Sequence, residues 1–386
     1  MAKKTLEIYQ GFEQGPIRPP SEAYSLLIRI TRNCPWNHCT FCPVYNNEAF
    51  TIRPVEHVIK DIDMIHKFVD VLRRNADSSG QVDRSKIDKI ADRSQPGEVQ
   101  ALNATLHWAA AGMSSIFLQD ANSLIMKPVE LVEILTHLKK CFPWVDRITS
   151  YARSHTIARI KDEDLIKIKE AGLTRIHMGL ESGSDEVLKM VKKGVTKEVQ
   201  IKAGKKAKKA GMELSEYVMP GLGGKKLSKI HAIETADALN NINPDFIRLR
   251  TLALPSNIEL YKDYKEGNFE KCTDLMMAEE VLLFLEHLDG ITSTIKSDHI
   301  LNLFEEVEGV LPGDKDKMIS IVKTFLSMEP DRQMIYQVGR RMGIMSRLND
   351  MNNTHLLEEV QRACLQYGIT PDNVDETIDQ LMTRFL

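Results

Sequence analysis

Cys34, Cys39 and Cys42 fall within the short run Thr31-Arg-Asn-Cys-Pro-Trp-Asn-His-Cys-Thr-Phe-Cys-Pro43. The apolar stretch Leu26 to Ile30 precedes it, so a loop that curls as it leaves a strand can bring the thiols onto one soft metal centre. Ligand number narrows the chemistry. A closed structural zinc site takes four ligands, and no nearby Cys or paired His completes this set; His38, between two of the thiols, would need an awkward turn to join them. An iron-sulfur cube held by three cysteines keeps one iron open to a substrate or cofactor, and the spacing favours this over zinc or plain buried thiols. The other cysteines, Cys141, Cys272 and Cys364, lie far apart, form no motif and read as small buried hydrophobes.

The elements around the loop decide what else can face it. Residues 1–24 carry Gly11, Gly15, Pro16, Pro19 and Pro20 and read as an irregular N-terminal arm. Ser25 to Thr31 reads as a buried strand, and Val55 to Leu72 repeats apolar residues at helical spacing. Residues 75–98 break that pattern as an exposed insertion. From Ala101 onward a helix, a short apolar strand and a polar strand end recur. The expected strands are Ser115 to Gln119, Arg147 to Tyr151, Arg175 to Leu180, Glu213 to Met219, Phe246 to Leu252 and Ile291 to Lys296. Helices fit at 128–140, 162–171, 185–211 with a break at Gly194, 227–240 and 274–287. Such alternation predicts an α/β fold with parallel strands and right-handed crossovers, a partial or full (β/α) barrel over residues 25–300. Residues 301–386 read as a helical C-terminal extension, with helices at Arg332 to Leu348, Thr354 to Tyr367 under a Thr N-cap, and Pro371 to Phe385.

In such barrels chemistry sits where the strands end. The strand ends here carry Asp120 and Asn122, Ser150 and Tyr151, Glu181 and Ser182, Pro220 and Gly221, Arg250 and Thr251, and Asp298 with His299. Each alone is an ordinary loop side chain; together they outline one mouth. Asp120 and Glu181 suit an ammonium or ribose hydroxyls through charge-assisted hydrogen bonds. Gly221, Gly223 and Gly224 permit close backbone approach to a flat ring, as they permit any tight turn. His299 beyond the last strand suits an acid, base or hydrogen-bond donor, with a helix cap as the plain alternative.

The chain resembles the radical S-adenosylmethionine enzymes, in the branch of the oxygen-independent coproporphyrinogen oxidases, the methylthiotransferases and the elongator catalytic subunit. Members usually show CxxxCxxC with an aromatic before the last Cys; here the spacing is CxxxxCxxC, as in an uncharacterised subgroup, and Phe41 precedes Cys42. Phe117-Leu-Gln-Asp-Ala-Asn-Ser-Leu124 is similar to the second-strand motif, Gly179-Leu-Glu-Ser-Gly183 to the fourth-strand motif, Val218-Met-Pro-Gly-Leu-Gly-Gly224 to the fifth-strand glycine motif and Leu252-Ala-Leu-Pro-Ser-Asn-Ile-Glu-Leu260 to the sixth-strand segment. The resemblance implies a four-iron four-sulfur cluster on Cys34, Cys39 and Cys42. It implies S-adenosylmethionine held by Phe41, Asp120, Asn122, Ser150, Tyr151, Glu181, Ser182, Pro220, Gly221 and Arg250, with Asp298 and His299 toward the substrate. Reductive cleavage to a 5′-deoxyadenosyl radical, hydrogen abstraction from an unidentified substrate and a one-electron donor such as flavodoxin or ferredoxin follow from the same resemblance.

At 386 residues, 42% hydrophobic and a formal charge of -3, the chain suits neither a disordered protein nor a general polyanion binder. No stretch approaches the roughly 20 apolar residues of a membrane span, and the start lacks the apolar core of a secretion signal, so the expected compartment is the cytoplasm. Lys189, Lys192, Lys193, Lys197, Lys202, Lys205, Lys206, Lys208 and Lys209 form a Lys-rich stretch without interleaved aromatics, which favours a solvated helix face over a nucleic-acid surface. Two rival functions remain at this level: a non-catalytic iron-sulfur carrier or scaffold, and an RNA-modifying radical enzyme that binds through residues 189–209.

Overall fold

The computed structural model describes residues 7–45, 48–77, 82–92 and 95–382. The chain forms two compact units, one from Met1–Asn37, Asn47–His177 and Lys206–Glu213, the other from His38–Asn46, Met178–Lys205 and Leu214–Leu386. Strands and helices alternate through both, which is the expected α/β class.

In the first unit β1 (Leu26–Arg29) leads into β2 (Thr31–Arg32), which pairs antiparallel with β3 (Thr51–Ile52) across the cysteine loop. Helix α1 (Val55–Asn75) follows; Val58, Ile62, Ile65, Phe68, Val69 and Leu72 fall on its buried stripe, as their spacing requires. The expected insertion is not irregular throughout: α2 (Arg84–Ala91) lies within it, and α3 (Pro96–Ala110) starts earlier than the apolar pattern suggested, because Pro96 takes the first helical position and Gln95 and Glu98 close a capping box. Residues 78–81 and 93–94 of that stretch lie outside the described residues. Next come β4 (Ser115–Gln119), α4 (Pro128–Cys141), β5 (Arg147–Ala152), α5 (Ser154–Ile157) and α6 (Asp162–Glu170). β1, β4 and β5 are parallel in that order, with Leu26 opposite Ile116 and Ile116 opposite Ile148. Every residue of β4 is buried, the mark of a strand covered on both faces.

β6 (Arg175–Glu181) begins in the first unit and ends in the second. α7 (Asp185–Met190) and α8 (Lys197–Lys209) are separate, as the Gly194 break predicts, and Ser184 caps α7 by accepting from Val187 N. β7 (Glu213–Val218), α9 (Gly224–Ile242), β8 (Phe246–Leu249), α10 (Glu259–Lys265), α11 (Asp274–His287) and β9 (Thr294–Lys296) continue the alternation. β7, β8 and β9 are parallel, and the short β10 (Gly309–Val310) adds antiparallel to β9, an edge the alternation gave no sign of. The second unit has an apolar cluster of Phe41, Val187, Val191, Leu222, Leu252, Ile258, Leu260 and Phe269 among others.

The C-terminal helices are α12 (Lys315–Leu326), α13 (Pro330–Met342), α14 (Thr354–Tyr367) and α15 (Val374–Met382). α12 was not expected. α13 stops short of Leu348 because Gly343 takes a left-handed conformation at φ 73°. The cap of α14 is Asn353, not Thr354: its side chain accepts from His355 N and Leu356 N, leaving Thr354 as the first helical residue. Of the last expected helix, residues 383–385 lie outside the described residues. No helix of the described residues is long and apolar enough to cross a membrane.

Candidate active site

The cysteine loop leaves β2 and returns at β3, so the ladder between those strands pins its ends. Asn33 and Asn37 turn it through left-handed positions at φ 67° and 49°, which asparagine tolerates better than most residues. Their side chains also tie its two arms, Asn33 Nδ2 donating to Ala49 O at 2.7 Å and Asn37 Nδ2 to Glu48 O at 3.2 Å. The Arg153 guanidinium lies 5.1 Å from the centre of the Trp36 ring.

In the second unit, Cys42 N donates to Cys39 O at 3.2 Å, closing a turn around Thr40 and Phe41. Thr40 N donates to Val191 O and Leu260 N to Thr40 O, and Phe41 is buried in the apolar cluster against which Cys39 and Cys42 pack. Phe41 therefore braces the loop from below. Cys34, Cys39 and Cys42 are in no disulfide and are half-buried. Soft, partly shielded sulfur donors of this kind suit an iron-sulfur cluster.

At the end of β4, Asp120 is sealed in. Its Oδ2 accepts from Arg29 Nε at 2.9 Å, Arg29 Nη2 at 2.7 Å and Asn33 N at 3.1 Å, with no exposed side-chain surface. This carboxylate holds the root of the cysteine loop. Asn122 accepts from Arg153 N at 3.0 Å and donates to Thr156 Oγ1 at 2.9 Å. Ser150 Oγ is hydrogen-bonded to Leu118 O and Tyr151 O, while the Tyr151 ring meets Phe117 edge-on at 5.2 Å. These expected site residues are thus tied to their own unit's framework.

At the end of β6, Glu181 takes φ 62° and accepts from Lys193 Nζ at 3.0 Å, while its carbonyl accepts from Met219 N. Behind this pair, on β7, lies Glu216. Complete burial first, then the negative charge of Glu181, pushes its carboxyl well above the usual carboxylate range. A denser network joins the two glycine-containing loops. His231 Nδ1 bonds Ser182 Oγ at 2.8 Å and its Nε2 bonds Met219 O at 3.0 Å, while Gly183 N donates to Thr235 Oγ1. Glu280 of α11 accepts from Gly221 N at 2.7 Å and Ser228 Oγ at 2.5 Å. Gly221 stands at φ 85°, a conformation that glycine adopts without strain, and Pro220 precedes it. A Cβ on Gly183 would meet Glu234 O at 2.2 Å, so that position also needs glycine.

Two arginines two residues apart at the end of β8 have different surroundings. Arg248 pairs with Asp298 and donates to Ser215 Oγ, so Asp298 is an ion-pair partner in this structure. Arg250 lies with its guanidinium 4.5 Å from the centre of the Tyr217 ring, and its Nε and Nη2 are buried with no hydrogen-bond partner among the described residues. Those two nitrogens form the side-on fork that grips a carboxylate or phosphate. His299 feels the same cation: burial first, then Arg250, pulls its imidazole down to about 4, and its Nδ1 is buried without a hydrogen-bond partner among the described residues. It is neutral at physiological pH.

The sequence reading missed Arg29, Lys193, Glu216, Tyr217, His231, Arg248 and Glu280. Glu216 had a signal, a carboxylate between Ser215 and Tyr217 near the middle of a strand, as did Glu280 on the apolar face of α11.

Residues 88–236 match the family model of the Radical SAM superfamily. That match covers 149 of the chain's 386 residues. The cofactors of that superfamily are a four-iron four-sulfur cluster and S-adenosylmethionine. Among curated proteins the chain is 27% identical over 110 residues to the tRNA uridine(34) acetyltransferase of Methanocaldococcus infernus, covering 28% of this chain and 21% of that one. It thus spans about a fifth of that relative's length. Among solved structures, coproporphyrinogen III oxidase (HemN) from Escherichia coli aligns at 16% identity and TM-score 0.46 over 68% of this chain and 52% of that one. Methylornithine synthase (PylB) aligns at 14% and 0.42 over 86% and 85%.

Proposed function

We propose that Cys34, Cys39 and Cys42 ligate the cluster and that the chain uses it for radical chemistry on a substrate yet to be identified. The observation that carries this is the set of three half-buried cysteines, none in a disulfide, on one loop, its Cys39–Cys42 turn braced by buried Phe41. When bound, the cluster and S-adenosylmethionine supply the one-electron cleavage that releases a 5′-deoxyadenosyl radical to abstract hydrogen from the substrate. The chain's residues position and shield. Arg250 takes an anionic group through its side-on fork, and Glu181, Ser182, Pro220 and Gly221 present polar edge and open backbone to the rest of the cofactor. Within the first unit Asp120, Asn122, Ser150 and Tyr151 are the cofactor residues of this reading, with Asp120 also anchoring the loop. Neutral His299, beside Arg250, donates or accepts a hydrogen bond or takes a proton, and Asp298 acts through its pair with Arg248. On this reading residues 25–300 carry the chemistry, 301–386 are a helical extension, and a flavodoxin- or ferredoxin-type protein delivers the electron.

Anaerobic loading with iron and sulfide, followed by an assay for 5′-deoxyadenosine under dithionite, tests the reading. The expected result is a brown protein with about four irons, cleavage of S-adenosylmethionine, and loss of both in each Cys→Ser variant. A colourless protein sinks it, and a coloured one that leaves S-adenosylmethionine intact favours an electron carrier.

Modification of an RNA is a second reading, favoured by the archaeal relative. Against it, several lysines of the 189–209 stretch already have carboxylate partners: Lys192 with Glu259, Lys193 with Glu181, Lys197 with Glu234 and Asp237, and Lys209 with Asp162. Salt-sensitive polynucleotide binding that falls on Lys→Glu exchange in this stretch would restore it.

A further inference from the structure

Far along the chain from the cysteine loop, the first unit places one carboxylate, one imidazole and one thiol around a common point. His137 and Cys141 lie four residues apart on α4 and so share a face; Asp63 reaches them from α1. His137 Nε2 stands 2.7 Å from Asp63 Oδ1 and 3.6 Å from Cys141 Sγ, and the three ligand atoms all lie within 4.8 Å of one another.

Protons alone serve this arrangement poorly. One imidazole nitrogen carries either a hydrogen or a lone pair. With the hydrogen on Nε2, Asp63 is satisfied but the thiol cannot donate to that nitrogen. With the lone pair there, the thiol can donate but the carboxylate faces a second acceptor. Burial first, then the nearby Asp63 charge, raises the Cys141 thiol, and the smaller pull of Lys140 does not offset them.

A divalent metal ion satisfies all three donors together. Zinc bonds of ~2.3 Å to sulfur and ~2.0 Å to nitrogen, at a tetrahedral angle, put those atoms about 3.5 Å apart. The observed separation is 3.6 Å. The His137–Asp63 distance must open, by roughly half an ångström, to the spacing of two zinc ligands. Asp63 can supply that shift because its side chain is 57% exposed, while buried Cys141 and half-buried His137 keep their places.

We propose that Asp63, His137 and Cys141 form a zinc-class divalent-metal site that staples α1 to α4, with solvent in the fourth position. Mixed oxygen, nitrogen and sulfur donors suit zinc better than magnesium or calcium, which take oxygen ligands. Binding displaces one proton from the thiol and no electron moves.

The test uses the full-length, cluster-loaded protein, in which the cluster ligands are occupied. After equilibration with zinc and removal of loosely held metal, elemental analysis should find about one zinc per chain beyond the iron, and zinc should raise the melting temperature. Cys141→Ser and His137→Ala should each lose that zinc and the shift in melting temperature while keeping the iron content. Asp63→Asn, at an exposed position, should keep the fold and weaken zinc binding by about tenfold or more, a loss of about 1.4 kcal/mol. Equal zinc in wild type and all three variants, or no zinc held by the wild type, overturns the proposal.

Discussion

Asp120 at the end of β4 and Arg250 at the end of β8 are both charged groups at the ends of strands, yet their surroundings are opposite. Asp120 is fully buried against a bidentate guanidinium and a backbone amide. Arg250 has two buried nitrogens with no partner among the described residues. A buried charge with its partner in place is part of the framework; a buried guanidinium fork without one is costly unless a ligand completes it. On the proposed reading the first therefore reports on stability and the second on binding.

The largest effect should come from breaking the complete pair. Asp120→Ala leaves Arg29 with only the more distant Glu13, at 3.9 Å, and frees the root of the cysteine loop, so urea unfolding should show a loss of about 3 kcal/mol. A loss under about 1 kcal/mol would mean that the pair contributes little to the framework.

Arg250→Met sharpens the contrast from the other side. Removing a cation that has no ion pair among the described residues should leave stability unchanged or raise it by about 1 kcal/mol, while affinity for S-adenosylmethionine or substrate falls about tenfold or more. Equilibrium binding and urea titration on the same protein separate the two. A destabilised variant with unchanged binding would place Arg250 with Asp120 as framework.

Glu216 gives a smaller, pH-dependent effect. Its folded carboxyl titrates well above the unfolded one, so the native state holds a proton that the unfolded chain releases. Stability should therefore fall as pH rises above the ordinary carboxylate range toward the raised value, with a limiting slope of about 1.4 kcal/mol per pH unit. Glu216→Gln should flatten that slope. His299 has the reverse sign: its imidazole sits at about 4 when folded against a usual 6.5, so its contribution is lost as pH falls through that window. His299→Asn should remove the corresponding acid-side slope, the smallest change of the set.

How much of this was legible differs between backbone and side chains. The β4 and α11 boundaries, Ser115–Gln119 and Asp274–His287, coincide with those expected, because periodicity and burial agree there. α12 and β10 left no comparable trace, and the cap of α14 moved by one residue because Asn353 and Thr354 are both competent caps. At the site, residue type and spacing pointed to the cysteines, but nothing local could show that Asp120 is spent on Arg29, 91 residues away in the chain.

The sequence by itself determined the alternation of strands and helices, the three thiols on one loop and the strand ends where polar residues gather, since these depend on short-range pattern and covalent spacing. Tertiary structure decided which charges neutralise one another, which carboxyl keeps its proton and which guanidinium edge is left for a ligand. Those outcomes depend on burial and on partners distant along the chain, and only the folded chain brings such groups within a few ångströms of each other.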